Sequence, residues 1–70
     1  MSERRMLQII GDTCRMSPGN EADVMTIGRK YGRGYAETLR VLTKRGYINK
    51  YDGGRISLTA EGRSAAGENK

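Results

Sequence analysis

The sequence predicts one small α+β domain: three successive helices, a two-stranded antiparallel hairpin and a short C-terminal helix. Two observations carry this. Apolar residues recur at i, i+3 and i+7 or at similar spacing in three segments, each closed by glycine or turn residues. After the third, "YINKY" and "RISLT" flank "DGG", and Asp-Gly between two such runs is a strong hairpin signal. Seventy residues hold one domain, taken as residues 1–66, with 67–70 as a frayed tail.

Ser2 is placed to cap the first helix, with Glu3 suiting the positive end of its dipole. Leu7, Ile10 and Cys14 share one face, so the helix spans residues 3–15, with Gly11 as a weak point. "SPGN" ends it, and Asn20 is a cap for a second helix over 21–31 built on Val24, Ile27 and Tyr31. Gly28 falls on that same apolar face, where a missing side chain admits another helix. Gly32 suits the position just past the helix end, where positive φ is needed, and Gly34 gives the reversal room. A third helix over 34–45 buries Tyr35, Leu39 and Leu42, ends at Gly46 and carries Lys44 and Arg45 at its negative end. In the hairpin Ile56 and Leu58 share a face, with Ile48 opposite them. Thr59 caps a last helix over 60–66.

Composition narrows the function. With no Phe and no Trp, the core comes from Leu, Ile, Val, Met and four tyrosines. A core of that size rarely supplies more than about 3–5 kcal/mol of net stability, which leaves little room for a deep catalytic cleft. There is no histidine, and Cys14 is the sole cysteine, so an intramolecular disulfide is excluded and a zinc site lacks its usual ligands. Cys14 reads as a buried hydrophobe. No nucleophile-plus-base cluster is present, and "GRKYGRG" lacks the Gly-Lys-Ser/Thr ending of a phosphate-binding loop. No enzymatic activity and no cofactor are implied. No apolar run is long enough for a membrane span, and "MSERRML" lacks the core of a signal peptide. A cytoplasmic protein is expected, associated with the nucleoid if it binds DNA.

Charge is unevenly distributed. Between Arg29 and Arg55 lie eight basic and two acidic residues, a local charge of +6, while the rest of the chain carries −1. With Tyr35, Leu39 and Leu42 inward, the helical period puts Arg33, Glu37, Arg40 and Lys44 on the exposed face. Three cations along a helix that follows a tight turn suit entry into a DNA major groove, where long cationic side chains reach phosphates and arginine pairs with guanine. Arg29 and Lys30 precede the turn. Lys50 and Arg55 flank the hairpin tip, placed for phosphate or minor-groove contact. Glu37 is either part of an ion-pair ladder with Arg33 and Arg40 or a partner for a cytosine amine.

"YAETLRVLTKRGYI" followed by "GGRISLTAEGR" resembles the winged helix-turn-helix domains of bacterial and archaeal transcriptional regulators. Their pattern is a recognition helix with leucines three apart, "RG" plus two apolar residues, a Gly-containing wing, then "LT-x-x-G-R". The resemblance covers residues 20–63, and its most specific part is Leu58–Arg63. It implies sequence-specific binding of double-stranded DNA by a small transcriptional regulator, with the third helix in the major groove and the wing on the minor groove or backbone. Small polar residues usual early in the recognition helix are replaced here by Gly34, Tyr35 and Ala36, so base preference does not carry over.

Two other readings fit the same residues. One is a winged-helix protein-interaction module of a larger assembly, its basic face simply solvated. The other is single-stranded nucleic acid or RNA binding through Tyr31 and Tyr35, although their helical spacing favours the core. Finally, apolar residues span half the circumference of the first helix. Leu7, Ile10 and Cys14 suffice for one core, which leaves Met6, Ile9 and Met16 as an edge for a homodimer unless the last helix covers them.

Overall fold

A computed structural model describes residues 3–67. The proposed Ser2 cap and the end of the tail lie outside these residues. The architecture is α+β: α1 (Glu3–Arg15), a 3₁₀ turn (Pro18–Asn20), β1 (Ala22–Asp23), α2 (Val24–Tyr31), α3 (Tyr35–Lys44), β2 (Ile48–Tyr51), β3 (Arg55–Leu58) and α4 (Ala60–Ala65). The strands form one antiparallel sheet in the order β1-β3-β2.

The core is built around α1, which touches α2, α3, α4, β1 and β3. Its Met6, Leu7, Ile10 and Cys14 are buried with Ile27 and Tyr31 of α2, Leu42 of α3, Ile48, Ile56 and Leu58 of the hairpin, and Ala66. The helix runs unbroken through Gly11, which is itself buried. Cys14 donates its S–H to the Ile56 carbonyl at 3.9 Å, so it fills the interior as a small hydrophobe with a weak donor.

Two expectations are corrected here. The sheet has three strands, because Ala22 pairs with Ile56 and Asp23 with Arg55. β3 is thereby hydrogen-bonded on both sides, and the Val24 N–H extends the contact to the Gly54 carbonyl at 2.9 Å. Capturing these residues moves the start of α2 from 21 to 24. Its cap is Asp23, whose carboxylate accepts from the Met25 N–H at 3.0 Å, and Asn20 sits in the left-handed region outside the helix. The second correction is Met6. It is 0% exposed, because α1 is surrounded on several sides and not packed against a single core face. Ile9 is partly buried against the same core, which leaves Met16, 85% exposed, as the one open residue of the expected dimer edge.

The joint between α2 and α3 follows the expected chemistry. Gly32 and Gly34 both have positive φ, and the Gly32 N–H closes α2 on the Gly28 carbonyl at 2.8 Å. The Tyr35 ring lies over Gly28, where an added Cβ would stand 2.9 Å from ring carbons. Tyr31 is buried and Tyr35 half-buried, so both belong to the packing of this joint.

Leu58 ends β3 in the core, paired with Ile48. Thr59 Oγ1 accepts from the Gly62 N–H at 3.0 Å, which caps α4, and donates to the Gly46 carbonyl at 2.7 Å. Its N–H donates to the Tyr47 carbonyl at 3.0 Å. Gly62 rests on that same carbonyl group, and a Cβ there would overlap the Tyr47 oxygen. Alanine normally improves a helix over glycine by about 1 kcal/mol. At Gly62 the sign should reverse, with a loss of about 1–3 kcal/mol from overpacking against rigid backbone. Gly28→Ala meets only the movable Tyr35 ring and should cost clearly less. Thermal denaturation of both variants checks this; a Gly62→Ala protein melting at or above wild type would refute the α4 packing.

Candidate nucleic-acid interface

Arg33, Glu37, Arg40 and Lys44 are all exposed; the helical period accounts for the last three, whereas Arg33 lies in the turn before the left-handed Gly34 that caps α3 and is not part of the expected helical stripe. Leu42 anchors the opposite side at 0% exposure, while Leu39 and Tyr35 are half-buried. Arg33, Arg40 and Lys44 make no ion pair among the described residues, and neither does Glu37. The ladder through Glu37 is therefore not formed. The one acid on this face stands among cations without neutralising any of them at contact distance.

The strand register sorts the hairpin cations. Side chains alternate across a sheet, so Lys50 shares a face with Ile48 and Ile56, and Arg55 shares the other with Ser57. Lys50 thus stands on the α3 side. Arg55 stands on the far side, where its guanidinium meets the Glu21 carboxylate at 3.6 Å. Tyr51 is on that far face as well, its hydroxyl 3.0 Å from Ser57 Oγ. Of the cations before the turn, Arg29 is exposed without an ion pair among the described residues, while Lys30 reaches back to α1 and donates to Thr13 Oγ1 at 3.2 Å. The structure therefore brings Arg40 and Lys50 together, continues the line through Arg33 and Lys44, and turns Lys30 and Arg55 toward other partners.

Between α3 and the hairpin lies a groove of about 300 Å³ that sequence reasoning missed. Val24, Leu39, Ile48 and Ile56 supply its apolar lining, Tyr35 one wall, and Arg40 and Lys50 its cations. A signal for it was present: Lys50 is two residues from buried Ile48, in the phase where a strand packed on a helix would carry another apolar side chain. Among the described residues no helix is long and apolar enough to cross a membrane.

Comparison with protein-family models, with curated proteins and with solved structures finds no match.

The geometry of α3 separates anchor from surface. Leu42→Ala should cost about 2–5 kcal/mol, comparable with the whole stability of so small a domain. Leu39→Ala, already half-exposed to the groove, should cost less, and Arg40→Ala should leave the melting temperature nearly unchanged. Urea denaturation of the three variants tests the ranking; an Arg40→Ala loss matching that of Leu42→Ala would mean that the α3 phase is wrong.

Proposed function

We propose that this domain is a winged helix-turn-helix module that binds double-stranded DNA, acting as a small transcriptional regulator. One observation carries the reading. A two-glycine turn and the helix that follows it present Arg33 from the turn and Arg40 and Lys44 from the helix to solvent without ion pairs among the described residues, and Lys50 of the adjoining hairpin adds a cation on the side of the sheet that α3 shares. The order of elements supports it too: α3 leads directly into the β2–β3 hairpin, and the short β1 completes the sheet from the other edge. In this reading α3 enters the major groove, Arg29 and Lys50 contact phosphates to either side, and Glu37 is left unpaired to accept from a cytosine amine.

The hairpin has a limited role. Its turn spans only Asp52–Gly54, and the Gly54 carbonyl is tied to the start of α2. A tip so short and so fixed suits backbone contact better than deep entry into a minor groove, and Arg55 faces away from α3. With Met6 buried and Ile9 partly so, the proposal needs no dimer and assigns one copy to each site.

Binding measured by fluorescence anisotropy across a salt series tests this. Five phosphate contacts, from Arg29, Arg33, Arg40, Lys44 and Lys50, give a slope of log K against log salt of about −4 to −5. Lys50→Gln should make the slope shallower by about one, whereas Arg55→Gln should leave it unchanged. Absence of duplex binding at low salt removes the proposal, and an Arg55→Gln effect equal to that of Lys50→Gln would mean that the other sheet face is the one engaged.

A further inference from the structure

We propose that the groove between α3 and the hairpin is a binding site for a small amphipathic organic acid, and that its occupation competes with DNA. The apolar part of the ligand would lie on Leu39, Ile48 and Ile56, and its carboxylate would meet Arg40 and Lys50. Three features point to this class of ligand. The volume, about 300 Å³, is at the lower end of what small-molecule sites enclose. The lining is mixed, with Val24, Leu39, Ile48 and Ile56 apolar and Arg40, Thr43 and Lys50 polar, so inorganic phosphate can meet the cations but gains nothing from the apolar side chains. The two charged groups on it are both cations, and neither has an ion-pair partner among the described residues, so the groove offers charge-assisted contacts to an anionic group beside apolar side chains that suit an apolar body.

The arrangement has a regulatory consequence. Arg40 and Lys50 are also two of the cations assigned to the phosphate-binding face, and a carboxylate seated between them would neutralise the contacts that a duplex needs. No conformational change is required; the two anions exclude each other by using the same groups. The competition rests on the proposed DNA reading, but the binding of the acid does not.

Naphthalene-2-carboxylate, its neutral carboxamide and inorganic phosphate are the probes, titrated into the intact 70-residue protein without DNA and followed by methyl and amide NMR. The acid should shift the resonances of Leu39, Ile48 and Ile56 saturably, and the carboxamide and phosphate should bind far more weakly. Lys50→Gln and Arg40→Gln, both at exposed positions, should each weaken the acid roughly three- to tenfold while the spectrum stays folded. Ala36→Leu, a groove-lining and exposed helical position, should block binding without removing either charge. Equal affinity for acid and carboxamide, or no saturable shift in these three residues, overturns the site. A second titration adds the acid to a preformed duplex complex, where displacement of DNA is expected. If the acid binds but the duplex stays bound, the competition is wrong and the site stands; if no duplex binds at all, it is the DNA reading that falls.

Discussion

Burial of α1 is the constraint on which the rest of the structure depends. The chain has neither Phe nor Trp, and among the described residues Tyr31 is the one buried aromatic, so the interior is filled mainly by aliphatic side chains and Met6. Met6, Leu7, Ile10 and Cys14 form a rod that α2, α3 and α4, the edge strand β1 and the central strand β3 must cover. Two secondary features follow. Ala22 is buried where it pairs with Ile56, the residue whose carbonyl also accepts from the Cys14 thiol of α1. α4 is brought close enough for the Gln8 amide to reach the Ala66 carbonyl at 3.4 Å, and only a glycine at position 62 allows that approach over the Tyr47 backbone. Arg45 meets Glu3 at 3.4 Å and ties the end of α3 to the start of α1, a surface pair of small energetic weight.

Because the core is centred on α1, α3 needs only one deep anchor. Leu42 fills that role, and the remaining turns of α3 are free to carry charge outward. The groove has the same origin. Tyr35 and Leu39 approach the hairpin, but Lys50 occupies the strand position whose side chain would close the gap. A lysine there keeps its ammonium near water while its stem lies along apolar surface, so the space stays open and becomes charged at one side.

Most of the helical architecture was legible because it is written locally. α1 and α3 have clean periodicity, glycines end α2 and α3, and Thr59 caps α4 from within its own sequence neighbourhood. What escaped was decided at a distance. A two-residue strand has no period to detect, and both Asn20 and Asp23 are good caps; pairing with β3 decides between them. Met6 was misjudged because a stripe width assumes a helix lying on one core, whereas α1 is enclosed. The site divides in the same way. The exposed line on α3 follows from one helix's period, but the separation of Lys50 from Arg55 needs the phase of each strand against its buried isoleucine.

The cations of the α3 side also set an energetic balance that favours ligands. Arg40 and Lys44 lie along α3, with Arg33 in the turn before it and Lys50 on the adjoining hairpin, and their mutual repulsion is not offset by ion pairs within the described residues. At physiological salt, screening over about 8 Å keeps that cost small, so the fold tolerates it. An arriving anion gains twice: it makes its own contacts and relieves repulsion already present in the free protein. Such a ligand binds only the assembled face and therefore stabilises the fold by mass action. Arg55 shows the contrast. Its charge is already answered by Glu21 on the far side of the sheet, so an anion there must first displace a carboxylate. The asymmetry between the two faces of the hairpin is thus what directs the proposed partners to the side that α3 shares.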